Sequence, residues 1–81
     1  MEVDKKPTHD EKIVNFVVDY IRERGYSPTV REVGSAIGIS SSSTAHKVLD
    51  AAVSREIILM DAKVARSIRV SQKGLRLYGR N

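Results

Sequence analysis

The chain has 81 residues, a formal net charge of +4 and no cysteine. This length fits one small domain, and the lack of cysteine excludes disulfides and thiolate metal sites. Two isolated histidines are too few for a zinc site, so we expect no metal, no cofactor and no enzymatic activity. The sequence has neither a secretion signal nor the roughly 20 apolar residues that span a bilayer, which predicts a cytoplasmic, nucleoid-associated protein without membrane contact.

The N-terminal third predicts a short arm followed by one helix. Residues 1–7 are expected to form a flexible arm, and the domain proper to cover residues 8–81. Thr8 with Glu11 three residues later forms a capping box, and Gly25 is expected to end the helix. Pro28 then favours a short rigid link. The apolar set has helical spacing: Ile13, Phe16, Val17, Tyr20 and Ile21.

The next segment, TVREVGSAIGISSSSTAHK at residues 29–47, contains two helix-start signals around a glycine turn. Thr29 and Glu32 form a second capping box, so the second helix is expected to begin at Thr29. Gly38 ends this helix, and Ser40 or Ser41 caps the next one. The apolar positions of the second helix are Val33, Ala36 and Ile37, and Ile39 anchors the turn in the core.

A pair of small residues follows helix-turn-helix spacing. Gly34 lies four residues before Gly38, where a second helix that crosses steeply must approach closely. The third helix then has an apolar stripe and a polar stripe on opposite faces. The apolar stripe is Ala45, Val48, Leu49 and Ala52; the polar stripe is Ser43, His46, Lys47, Asp50 and Ser54. A polar stripe is usually only a solvated face, but a helix-turn-helix places this part of its second helix against base edges in the major groove.

The C-terminal third predicts a hairpin and a short helix. Residues 57–60 and 66–70 have the branched or alternating pattern of strands, with residues 61–65 as the loop. A hairpin after a helix-turn-helix is the wing of a winged helix, whose Lys63, Arg66 and Arg69 are placed to meet phosphates; a plain structural hairpin is the alternative. Residues 71–78 can form a helix. Its Leu75, Leu77 and Tyr78 either pack back on the core or provide a surface for self-association.

The charge is unevenly distributed along the chain. Residues 1–46 carry six Lys or Arg and seven Asp or Glu, whereas residues 47–81 carry eight and three. The basic charge therefore lies in and after the third helix. A basic half of this kind would attract a phosphate backbone and give salt-sensitive binding.

From residue 13 to residue 70 the sequence resembles the N-terminal DNA-binding domain of the LexA repressor family, in the form found in Gram-positive bacteria. The resemblance is carried by GYSPTVREVGSAIGISSSSTAH and by RSIRV of the wing. It implies a mainly α fold with a small antiparallel sheet, a winged helix-turn-helix of three helices, a β-hairpin wing and a short C-terminal helix. The resemblance implies that Ser41, Ser43, Thr44, His46 and Lys47 read bases and that Ser42, Lys63 and Arg66 hold the DNA backbone. We expect further backbone contacts at Thr29, Arg31 and Arg69.

The sequence departs from the family pattern at three points. Family members continue into a self-cleaving peptidase domain, whereas this chain ends at Asn81, so we expect a stand-alone domain that cannot cleave itself. Glu56 stands where the family usually has glycine, which predicts a looser or differently shaped turn after the third helix. Lys47 alters the outward face and with it the operator that the family would prefer.

These observations predict a regulator of transcription that binds double-stranded DNA, most simply a repressor at a two-fold symmetric operator. A module of this size needs two copies for useful specificity, which implies a homodimer. If the dimer forms only on DNA, the monomer predominates in solution. A phage or mobile element is a plausible source. The alternatives are a module that binds a host repressor or RNA polymerase, and an excised domain of a longer repressor. The polar third helix disfavours the first, and the C-terminal segment, which reads as a closing helix, disfavours the second.

Overall fold

A computed structural model describes residues 9–61 and 63–79 of the chain. Four helices and a two-stranded antiparallel sheet follow in the order α1 His9–Arg24, α2 Val30–Ala36, α3 Ser42–Ser54, β1 Ile58–Leu59, β2 Arg69–Val70 and α4 Gln72–Tyr78. This is the predicted winged helix-turn-helix. The expected arm at residues 1–7 and the capping residue Thr8 lie outside the described residues.

The helix ends follow the local signals in the sequence. Gly25 and Gly38 both have positive φ, 81° and 90°, after α1 and α2. The Thr29 hydroxyl accepts from the Glu32 amide at 3.1 Å, and the Glu32 carboxylate accepts from the Thr29 amide at 2.8 Å, which completes the predicted capping box. Ser41, rather than Ser40, caps α3.

The core forms where α1, α2, α3 and the wing meet. Helix α1 contacts α2, β2 and α4, and α3 packs on α2 and β1. Ala36 was expected on the apolar face of α2 but is exposed, and the buried small residue of that helix is Gly34. The buried cluster is Ile13, Val14, Val17, Val33, Ile37, Leu49, Ala52, Ile57, Ile58 and Ile68.

Helix α3 ends in a closed turn around Glu56. The Glu56 amide donates to the Val53 carbonyl at 2.8 Å, and the Ile57 amide donates to the Ala52 carbonyl at 3.0 Å. This pair of hydrogen bonds is the Schellman motif, which requires a residue with a left-handed backbone conformation. Glu56 supplies it with φ of 64°, so glutamate adopts here the conformation that glycine favours.

The wing has a shorter sheet than the sequence predicts. Only two residue pairs form, Ile58 with Val70 and Leu59 with Arg69. Ser67 replaces the missing backbone pairing: its hydroxyl accepts from the Asp61 amide at 2.8 Å and lies 3.0 and 2.9 Å from the carbonyls of Asp61 and Val64. The Ser67 side chain therefore holds the two sides of the hairpin together beyond its two paired positions.

Helix α4 closes the fold against α1 and β2. The Ser71 hydroxyl caps it by accepting from the Gly74 amide at 2.9 Å, and a Cβ at Gly74 would collide with the Ile57 carbonyl. Tyr78 packs on the core, as one of the two expected arrangements requires, whereas Leu75 and Leu77 are about half exposed. The expectation that Leu75 packs back is thus wrong. Among the described residues, no helix is long and apolar enough to cross a membrane.

Candidate nucleic-acid interface

The outward face of α3 is polar over its first two turns. Every predicted base-reading residue is exposed: Ser41, Ser43, Thr44, His46 and Lys47. The opposite face is buried at Ala45, Leu49 and Ala52. The hydroxyl, imidazole and ammonium groups of α3 therefore face solvent, while the other side of the helix is fixed in the core.

Helix α2 holds the start of α3 by a close contact at a small residue. A Cβ added to Gly34 would lie 2.7 Å from the Cβ of Ala45, nearer than two such atoms can approach. The glycine that the sequence assigns to a steep helix crossing is therefore required by the contact. This contact fixes how closely α2 and α3 approach each other, and it leaves the opposite side of α3 uncovered.

A groove of about 420 Å³ separates α3 from the wing. It brings together four of the predicted site residues: Thr29, Arg31, Ser42 and His46. The far wall belongs to the wing, at Met60, Asp61, Val64 and Ala65, and Asp50 lies on the α3 side. The Asp61 carboxylate accepts from the Lys63 amide at 3.0 Å, so this acid shapes the wing loop.

The three basic wing residues differ in what their side chains contact. Lys63 is exposed, and in the part of the chain that the structure describes its ammonium has no hydrogen bond or ion pair. Arg69 is also exposed and donates to the Ser67 carbonyl at 3.0 Å. Both cations are exposed on the wing, as contact with a phosphate backbone requires.

Arg66 instead has its guanidinium directed onto the helices. Nη1 lies 3.1 Å from Glu32 Oε1 and 3.2 Å from the Tyr20 hydroxyl, and the guanidinium carbon is 5.0 Å from the Tyr26 ring centre. Its predicted contact with phosphate stays a prediction. The same holds for the other predicted DNA contacts, all of which are exposed, as such contacts require, except the half-buried Thr29.

Two side-chain contacts join residues that lie far apart in the sequence, and no sequence pattern indicates them. Asp10 at the start of α1 accepts two bonds from Arg55 after α3, at 2.5 and 2.9 Å. The sequence predicts only a capping role for Glu32, yet this residue also binds Arg66, 34 residues later. Only the capping role has a local spacing that a sequence can reveal.

Comparison with known proteins places these features in a family. Residues 7–67 match the family described as LexA DNA binding domain. The chain is 40% identical over 67 residues to the LexA repressor of Oenococcus oeni, which covers 83% of this chain and 32% of that protein. It is 39% identical over 66 residues to the LexA repressor of Exiguobacterium sp., covering 82% and 32%, and 36% identical over 70 residues to that of Clostridium kluyveri, covering 86% and 35%.

The chain thus spans about a third of the length of the curated relatives it matches. The matched region contains α1, the helix-turn-helix of α2 and α3, and most of the wing. This chain therefore belongs to the LexA DNA-binding domain family.

Proposed function

We propose that this domain is a repressor of transcription that binds double-stranded DNA in a sequence-specific manner. The observation that carries the proposal is the exposed polar half of α3, supported from behind at Gly34 and flanked by a wing with an uncommitted ammonium at Lys63. Helix-turn-helix proteins insert such a helix into the major groove, where its first turns meet base edges.

In this proposal the site residues divide by chemistry. Ser41, Ser43, Thr44, His46 and Lys47 read bases, because hydroxyl, imidazole and ammonium groups can donate to or accept from base edges. Thr29, Arg31, Ser42, Lys63 and Arg69 bind the backbone, which positions the domain but carries no sequence information.

Two copies on a two-fold symmetric operator would give the specificity that one small module lacks. Repression would then be steric, through occupation of a promoter. The relatives are named LexA repressors, which supports regulation of this kind.

Selection of binding sites from a pool of randomised duplex DNA at near-physiological salt tests the proposal. We expect the protein to enrich an inverted repeat whose half-site spacing gives the geometry of two bound copies. A single enriched half-site would contradict the dimer. No enrichment would overturn sequence-specific binding and favour a domain that binds another protein.

Variants then separate base reading from backbone contact. On the enriched site, His46→Ala and Lys47→Ala should reduce discrimination against mismatched sites by roughly 1–3 kcal/mol per lost base contact. Lys63→Ala should weaken binding to all sequences and lower the slope of log K against log salt by about 0.9. Lys73→Ala is the matched control, since it removes the same charge from α4 and should change the slope little.

A further inference from the structure

The guanidinium of Arg66 is bound to the corner where α1 leads into α2. Nη1 lies 3.0 Å from the Ser27 carbonyl, 3.1 Å from Glu32 Oε1 and 3.2 Å from the Tyr20 hydroxyl, while Nη2 is 3.4 Å from Glu32 Oε2. The ring of Tyr26 covers one face of the guanidinium. One wing side chain thus contacts both helices and the link between them.

The carboxylate of Glu32 serves two elements at once. Oε1 accepts from the Thr29 amide at 2.8 Å, which begins α2, and from Arg66 at 3.1 Å, which fixes the wing. These bonds, first that of the Thr29 amide and then that of Arg66, lower the pKa of Glu32 to about 2. The carboxylate therefore stays charged at any physiological pH.

The sheet alone gives the wing few attachments. It consists of two residue pairs, and Lys63 lies six residues before β2, in the loop beyond the pairing. Arg66 lies between Lys63 and the first paired residue, Arg69. Its contacts with the helices are thus placed to fix the direction of the loop that carries Lys63.

We propose that Arg66 is a positioning residue for DNA binding, which holds the wing on α1 and α2 so that Lys63 meets the phosphate backbone. This inference rests on the proposed function and gives Arg66 a role other than contact with phosphate. Its guanidinium fits the role because planar donors match a carboxylate with two bonds and stack on an aromatic ring, which an ammonium cannot do.

Glu32→Gln tests the proposal by the sign of its effect on affinity. Glutamine at this position still completes a capping box, so the variant removes the ion pair while the start of α2 is kept. If Arg66 contacted phosphate, its release and the loss of a nearby negative charge would strengthen DNA binding. If Arg66 positions the wing, the same variant should weaken binding, by roughly fivefold.

The measurement is a titration of the enriched duplex with each variant, at two salt concentrations. Glu23→Gln is the matched control, because it removes the same charge from α1 outside the Arg66 contacts, and it should not weaken binding. Arg66→Lys keeps the charge but loses the paired bonds and the stacking, so it should also weaken binding. In Arg66→Ala, adding Lys63→Ala should cost less than it does in the parent, since the two residues then act through one contact.

Tighter binding by Glu32→Gln, or unchanged binding by Arg66→Lys, would overturn the positioning role. Circular dichroism of each variant confirms that it is folded, and the two conservative substitutions provide the answer if Arg66→Ala does not fold. Failure of the parent protein to enrich any DNA would instead overturn the proposed function, so the two failures are distinguishable.

Discussion

At the scale of single residues, Glu56 has a left-handed backbone conformation that is costly for a residue with a Cβ. It is the one described residue other than glycine with positive φ, at 64°. A left-handed conformation costs an L-residue roughly 1–2 kcal/mol, because Cβ crowds the following carbonyl oxygen. The Schellman bonds at the end of α3 require this conformation whatever the side chain is.

Replacing Glu56 by glycine should therefore stabilise the domain. We expect the free energy of unfolding to rise by about 0.5–1 kcal/mol in urea, less than the full relief, because glycine also loses more backbone entropy on folding. Glu56→Ala is the control, since it removes the same charge but keeps the crowded Cβ. An equal gain in both variants would assign the effect to the charge.

At the scale of elements, the start of α2 depends on a reciprocal pair of bonds. Thr29→Ala removes the hydroxyl that accepts from the Glu32 amide at 3.1 Å. We expect the free energy of unfolding to fall by about 1 kcal/mol, as for other caps of this kind. Thr29→Ser keeps the hydroxyl and should remain within about 0.5 kcal/mol of the parent. Similar losses in both variants would show that the methyl group, and not the bond, is responsible.

The elements were predictable to the extent that their signals are local. Capping boxes, turn glycines and helical spacing lie within a few residues of one another, and they located α2, α3 and α4 to within about a residue. The wing was less predictable, because Ser67 binds the Asp61 backbone in place of strand pairing. Ala36 illustrates another limit: helical spacing placed it on the apolar face, but tertiary packing uses Gly34 instead.

The candidate site divides in the same way. The polar stripe of α3 follows from helical periodicity, and all its predicted residues are exposed. Arg66 is predicted from its charge, its place on the wing and the family resemblance, and none of these tells whether a guanidinium faces phosphate or a carboxylate of its own chain. Its partner Glu32 lies 34 residues away and already had a local role, so no spacing signal pointed to the pair.

At the scale of the whole molecule, the free energy of unfolding should depend on pH through the ionisation of Glu32. Its pKa is lowered from 4.5 to about 2, first by the Thr29 amide and then by Arg66. Since the folded pKa lies below the unfolded one, this contribution is fully present above pH 4.5 and is lost as the pH falls towards 2. The difference in unfolding free energy between the parent and Glu32→Gln should shrink over this range and stay constant near neutral pH. A difference that does not change with pH would contradict this linkage.

Two ion pairs, one at the start of α1 and one at the start of α2, join residues that lie far apart in the sequence. Asp10 binds Arg55 across 45 residues, and Glu32 binds Arg66 across 34. In each pair the acid belongs to the first half of the chain and the base to the second. The charge asymmetry of the sequence therefore partly reflects ion pairs within the folded domain.

The two-pair sheet has a consequence for how such domains diverge. Because the side chains of Ser67 and Arg66 bind the wing beyond its two paired positions, we expect single substitutions there to change its angle while every ladder bond is retained. The helical scaffold does not have to change for this to happen. Descendants of one ancestral domain can thus acquire different spacings between helix and wing contacts by point mutation alone, without insertions or deletions in the hairpin.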